Sequence, residues 1–269
     1  IIWGEGLGLK LALMTLNVGR LTLPAACTAG AKMCIAITRD WEVVGGLRYD
    51  RAEAHAREVG LGDIGPTALE VLPEIHEDWD AWNASLRTIV SVGEDWKVYA
   101  GVGRGFRAPN LSDLTRFDIA LSGEVETPSP DLSPEEFTGY DAGVRVRTDF
   151  LEGEAAYFHT VVQDLITRFR TGNVIPGAGT EVKKANLGDG CVHGLELSLR
   201  AHILDDWTAW ANATWMESSV DQIDPRHGNA ERRRPLAKTT PTNGGLGLRW
   251  DSPRGRWWLE TWADWSDAK

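Results

Sequence analysis

VHGLELSLRAHILDDWTAWANATW, residues 192 to 215, decides the reading of this chain. Leu195, Leu197 and Leu199 alternate with Glu196, Ser198 and Arg200, so an extended backbone puts the leucines on one face and the polar groups on the other. After the turn at Leu204-Asp205-Asp206, Trp207 opens a second alternating run. Ala209, Ala211, Ala213 and Trp215 oppose Thr208, Asn212 and Thr214. Each run is about ten residues, twice the usual soluble strand, and at a tilt near 40° it spans roughly 25 Å. The polar face carries full charges that a packed dry core would not accept and a water-filled interior would.

The same device extends in both directions. Leu246, Leu248 and Trp250 alternate with polar or small residues, as do Trp257, Leu259, Thr261, Ala263 and Trp265, then Ala142, Val144 and Val146, and Trp82, Ala84, Leu86 and Val90. Five charged-to-aromatic handovers, at Trp41, Trp96, Phe150, Trp207 and Trp257, recur at spacings of 55, 54, 57 and 50 residues. A period near 54 fits two long strands joined by one tight turn and one long loop. Short turns fall near 39, 94, 149, 205 and 252. Long structureless loops are expected at 51 to 78, 108 to 136, 165 to 188 and 217 to 238. Tight turns at one end, long loops at the other and aromatics beside the turns describe an all-β, antiparallel transmembrane β-barrel. About ten strands are predicted, with an eleventh at Leu7, Leu9, Leu11 and Leu13, while residues 15 to 34 match no element.

Composition supports a membrane barrel and excludes other classes. The 269 residues include 13 Trp and 29 Gly, a pairing that suits a barrel with aromatic girdles. The mean hydropathy of −0.26 and the lack of a long uncharged apolar run argue against membrane-spanning helices, a test that lipid-spanning strands escape. A net charge of −11 argues against a nucleic-acid partner. Cys27, Cys34 and Cys191 show neither metal-ligand spacing nor a disulfide framework, so neither a metal site nor a cofactor is predicted.

Between residues 96 and 201 the chain resembles a known family. WKVYAGVGRGFRAPNLSDL (96–114) is similar to a strand and loop of TonB-dependent outer-membrane receptors, with their aromatic-Arg-Ala-Pro signature at Phe106, Arg107, Ala108 and Pro109. SPDLSPEEFTGYDAGVRV (129–146) resembles the family's Asn-Pro-Asp-Leu-x-Pro-Glu segment and following strand, with Ser129 in place of Asn. EAAYFHTVVQDLI (154–166) and ANLGDGCVHGLELSL (185–199) are similar to the next two strands. Four segments in the family's order are far more specific than any one. The resemblance implies a receptor in which a 22-stranded barrel encloses a plug, about half of whose strands are here. The expected domain plan is a poorly assigned segment with barrel strands at 1–40, part of the barrel at 41–269, and no plug. The implied activity is TonB-powered uptake of a scarce, large solute across the bacterial outer membrane. A ferric siderophore is the expected ligand, with haem, cobalamin, saccharide and other metal complexes left open. Implied partners are the TonB complex, acting through the plug, and membrane lipid and lipopolysaccharide.

Expected site residues follow from position. Arg107, Arg116, Arg168, Arg170, Arg232, Arg233 and Arg234 lie at or in the long loops, where guanidinium groups could contact an anionic siderophore. The plainer reading is that Pro109 ends a strand and the loop arginines face water. Trp41, Trp96, Phe150, Trp207 and Trp257 are expected to form the periplasmic aromatic girdle. Residues 110 to 128 hold neither His nor Tyr, against haem ligation there. His159 and His193 fall within strands, at expected lumen or girdle positions. Glu135 and Glu136, adjacent in extended chain, should face opposite ways and form no catalytic pair. Two rivals remain: a ten-stranded outer-membrane hydrolase or protease, which should close by itself, and a soluble β-propeller, for which Gly pairs at Gly45-Gly46 and Gly244-Gly245 are too few.

Overall fold

The computed structural model describes residues 31–38, 40–59, 72–119, 123–224, 230–236 and 239–267. The strand expected at Leu7–Leu13 lies outside them. One continuous sheet dominates, with antiparallel neighbours throughout its main path. In order across the sheet these are β1 (Ala31–Thr38), β2 (Trp41–Val59), β3 (Leu72–Val92), β4 (Trp96–Arg107), β7 (Glu135–Arg147), β8 (Leu151–Ile175), β9 (Gly179–Leu204), β10 (Trp207–Asp224), β12 (Asn243–Asp251) and β13 (Trp258–Ser266). Between β4 and β7 the chain forms a short helix, α1 (Leu111–Thr115), and two short strands, β5 (Asp118–Ile119) and β6 (Glu124–Glu126); β11 (Ala230–Arg234) makes a hairpin with β10. A single meandering sheet replaces the four-stranded blades a propeller needs. Among the described residues β1 and β13 are not paired with one another, so the sheet has two open edges.

Register shows how alternation became a wall with two faces. Trp41 opposes Val90, Leu47 opposes Ala84, Tyr157 opposes Leu195, and Leu195 opposes Trp215. These residues make one apolar face, whose side chains are the exposed ones: Trp82 is 60% exposed, Leu195 52% and Leu246 56%. Such exposure is untenable in water and natural against hydrocarbon. The opposite face is polar and bonded within itself. Arg87 meets Asp141 at 2.9 Å, Arg145 meets Glu154 at 3.0 Å, and the Tyr99 hydroxyl donates to Glu154 at 2.7 Å.

The abundance of both Trp and Gly has a steric basis. Tyr99 lies opposite Gly143, Phe158 opposite Gly194, Trp210 opposite Gly247 and Trp265 opposite Gly244. A Cβ at any of these four glycines would sit within 2.8 Å of the facing ring. Each ring thus occupies the space its partner leaves, which helps to pin register between the spanning strands.

Three of the four expected loops differ from the sequence reading. Residues 51–59 and 72–78 continue β2 and β3 as a paired ribbon; β8 and β9 run on to a turn near 176–178; β10 runs to Asp224 opposite β11. Their sequences, such as Arg51-Ala-Glu-Ala-His-Ala-Arg57, keep the alternation but invert it, with charges on the face that meets lipid lower down and only small alanines on the other, of which Ala54 and Ala56 turn inward. Beyond the membrane the outer ribbon face can carry charge, and strand pairing satisfies the backbone. Residues 108–119 and 123–134 fold back over the polar face. There Leu114 and Leu132 pack with Ala54 and Ile75 in a small core, against Trp79, Ala56 and Ile166.

Candidate ligand-facing site at the long-loop end

The fold-back is built outward from α1. Asn110 caps the helix, its side chain accepting from the Asp113 amide at 2.9 Å while the Asp113 carboxylate accepts from the Asn110 amide, a reciprocal pair that fixes this one turn. β6 then adds in parallel beside β9, with Glu124 opposite Thr180 and Glu126 opposite Val182. Glu181 ties the pieces together, accepting from Thr127 at 2.8 Å, Thr171 at 2.7 Å and Asn173 at 2.9 Å. Burial opposes its charge, but these three donors outweigh that and hold its carboxyl below the usual range. Asn186 bonds the Ser133 carbonyl at 2.8 Å, and the Trp79 indole donates to the Leu132 carbonyl at 3.1 Å.

Four of the seven arginines expected at the ligand site come together here, around carboxylates rather than as an open basic patch. Arg107 is partly buried: Nε meets Glu135 at 2.5 Å and Nη1 meets Asp113 at 2.9 Å. Lys184 reaches Asp113 and Glu126, each at 3.2 Å. Arg168 meets Glu126 at 3.3 Å, Arg170 meets Glu124 at 3.1 Å, and Arg116 meets Asp118 at 2.7 Å. Burial works against the charge of Arg107, yet its bonds to Glu135 and Asp113 prevail and raise its pKa. For Asp113 burial likewise opposes ionisation, and Arg107 with Lys184 outweighs it, holding the carboxyl below the ordinary range. The aromatic-Arg-Ala-Pro segment thus ends β4 and anchors the fold-back. Glu135 and Glu136 do point apart, Glu135 inward to Arg107 and Glu136 to Arg104 at 2.6 Å.

The other three arginines lie elsewhere, on β11. Arg233 sits opposite Asp221 and reaches its carboxylate at 3.8 Å, while Arg232 and Arg234 take register positions opposite Gln222 and Val220. Arg116 and Arg168 remain about half exposed, at 48% and 44%, so each offers a guanidinium edge to solvent beside the fold-back.

Each of the five aromatic openers stands at a short turn. Trp41, Trp96 and Trp207 begin β2, β4 and β10, while Phe150 and Trp257 immediately precede β8 and β13. A second row of aromatics lies eight residues further up the apolar face, and the sequence reading missed it as a row. Tyr49 and Trp82 stack at 5.1 Å, and Tyr140, Tyr157 and Trp215 surround His159 and His193. Eight residues at about 3.3 Å and a tilt near 40° separate the rows by roughly 20 Å. Directly above Tyr49 the same face turns charged, with Arg51 beside Glu53 and Asp78. Steps of eight from Trp41 to Tyr49 and from Trp207 to Trp215, and of seven from Phe150 to Tyr157, are the signal that could have found this row.

A sheet with one lipid-ready apolar face bounded by two aromatic rows, one polar face and an ordered fold-back at a single end is part of a transmembrane β-barrel of the outer-membrane kind. The chain belongs to the family described as TonB dependent receptor-like, beta-barrel, whose model matches residues 35–267. Over 239 residues it is 24% identical to Transferrin-binding protein A of Neisseria meningitidis serogroup B, covering 85% of this chain and 24% of that protein. The hemophore receptor HasR of Serratia marcescens superposes with a TM-score of 0.69 at 18% identity, over 89% of this chain and 43% of HasR. The siderophore receptor PirA of Pseudomonas aeruginosa does so with a TM-score of 0.55 at 18% identity, over 87% of this chain and 40% of PirA. A local match of another kind covers 43 residues, 56% identical to the Probable acyl-CoA dehydrogenase FadE10 of Mycobacterium tuberculosis, which is 16% of this chain and 7% of that protein. The chain spans about a quarter of the length of Transferrin-binding protein A. The family is one of outer-membrane transport receptors of Gram-negative bacteria, not of enzymes.

Proposed function

We propose that this chain forms part of the barrel wall of a TonB-dependent receptor that takes up a ferric siderophore across the bacterial outer membrane. The observation that carries the reading is the fold-back of residues 108–119 and 123–134 on the polar face at the long-loop end. It presents Arg116, and β8 beside it presents Arg168, each with one edge in ion pairs and one in water. A half-engaged guanidinium keeps the planar donors that charge-assisted recognition of an anionic chelate needs, while its carboxylate partner holds it in place. Transport energy would come from TonB acting on a plug region, as the family implies. Trp41, Trp96, Phe150, Trp207 and Trp257 would line the periplasmic interface, and the apolar band between the two aromatic rows would meet lipid and lipopolysaccharide.

The test is uptake of radioiron-loaded siderophores by iron-starved cells carrying the full-length gene, its deletion, or an Arg116→Glu, Arg168→Glu variant. Deletion should abolish uptake of one siderophore, and loss of TonB should do the same. The double variant should raise the half-saturating concentration about tenfold, the equivalent of ~1.4 kcal/mol. Unchanged uptake of every siderophore in the deletion strain would remove the ligand assignment.

A further inference from the structure

On the apolar face, at the height of the upper aromatic row, three metal-ligating side chains converge that linear spacing does not connect. His159 of β8 lies directly opposite His193 of β9, and Cys191 precedes His193 by two residues on the same face. One ligand atom from each, two imidazole nitrogens and a thiol sulfur, lies within 4.8 Å of the others, and all three residues are partly buried. Two features of His193 set this group apart from a chance cluster. Its Nδ1 is buried with no hydrogen-bond partner, and its Nε2 faces the Glu217 carboxylate at 4.0 Å. At 4.0 Å the carboxylate is a charge neighbour beyond hydrogen-bond reach, placed to balance a bound cation, and the unpartnered Nδ1 is a ring nitrogen left for a ligand.

We propose that His159, Cys191 and His193 bind a thiophilic transition-metal ion, with Zn2+ as its probe. Two nitrogens and a thiolate suit such an ion, and three protein ligands leave a fourth position to solvent. A tetrahedral ion with bonds of about 2.0–2.3 Å holds its ligands roughly 3.5 Å apart, so side-chain rotation of about an ångström closes the site. Binding displaces the Cys191 thiol proton to solvent. The ion would bridge β8 and β9 at the last regular pairs beneath an irregularity. Their register shifts between Val162 and Leu165, where Asp164 adopts a φ of 55°. The metal would therefore clamp the base of the ribbon that carries Arg168, Arg170, Glu181 and Lys184. It lies on the side of the wall away from the solute path, and so is independent of the ligand proposed above.

The experiment uses untagged full-length protein in detergent, stripped with chelator and titrated with Co2+ and then Zn2+. One equivalent of Co2+ should produce a near-ultraviolet thiolate-to-cobalt absorption that Zn2+ abolishes. Cys191→Ser should remove that absorption, and His159→Gln and His193→Gln should each weaken Zn2+ binding at least tenfold. Heat-modifiable gel mobility reports that each variant is folded. Should a variant misfold, alkylation of Cys191 in the unaltered protein, mapped by mass spectrometry, decides instead: Zn2+ should protect it. An absent cobalt–thiolate band in folded protein, stoichiometric Zn2+ binding that survives the substitutions, or alkylation that Zn2+ leaves unchanged would each overturn the proposal.

Discussion

Arg107 shows what a single charge does in this protein. Its guanidinium holds two buried carboxylates, Glu135 and Asp113, that belong to separate segments. Arg107→Ala leaves both without their main counter-charge, a loss of about 3–5 kcal/mol by the usual cost of breaking a buried pair. Limited proteolysis should then cut within residues 108 to 134, with the membrane-spanning strands still protected. Acid should act on the same contact. The folded Asp113 carboxyl titrates below its unfolded value, so its stabilisation is complete above about pH 4 and is lost as pH falls through the depressed folded value. Protease resistance of the fold-back should therefore hold from neutral pH to near pH 4 and drop only in stronger acid. A drop between pH 7 and 5 would show that another group controls it. Sequence marked Arg107 as part of a motif at a strand end. It could not supply the partners, because Glu135 and Asp113 are joined to it only by the return of the chain.

At the scale of elements, the long-loop end is held by backbone pairing as much as by charge. β6 can lie in parallel beside β9 only because Gly179 has a φ of 137° and no side chain; a Cβ there would come within 2.1 Å of the Gly123 carbonyl oxygen. Gly179→Val should push β6 off the ribbon at a cost of about 1–3 kcal/mol. Hydrogen exchange should rise in residues 123 to 127 and remain slow in β9 below Gly190. The lipid-spanning runs were legible as strands because hydrocarbon on one side and water on the other impose alternation residue by residue. The β2 ribbon reads as a loop in sequence because its contrast is inverted and carried by small residues, charges such as Arg51 and Glu53 facing out and Ala54 and Ala56 facing in. Among the described residues, the segment from 108 to 134 departs from the long strands as expected, though it holds α1, β5 and β6.

For the whole molecule, the two faces make opposite predictions for tryptophan. Trp82 projects from the apolar face, whereas Trp210 lies on the polar face, its indole donating to Glu260 at 3.1 Å. In full-length protein reconstituted with bromine-labelled lipid, a variant keeping Trp82 alone should be strongly quenched and one keeping Trp210 alone should not. Equal quenching would contradict the assignment of faces. Both edges of the sheet, β1 and β13, present unpaired backbone groups among the described residues. In lipid such groups must find partners, which further barrel strands would supply in the assembled receptor.

The sequence by itself determined the strand class, the two faces, the short-turn ends with Trp41, Trp96 and Trp207, and the resemblance that the family match bears out. All of these depend on neighbours along the chain or on a period that solvent imposes directly. Only the tertiary structure decided where charges and ligating groups meet. Arg107, Asp113, Glu135 and Lys184 form one network, and His159, Cys191 and His193 one cluster, through the pairing of strands and the return of residues 108 to 134. Those contacts join residues up to 71 positions apart, as between Asp113 and Lys184. No periodicity reports them, because they follow from register between strands rather than from order within one.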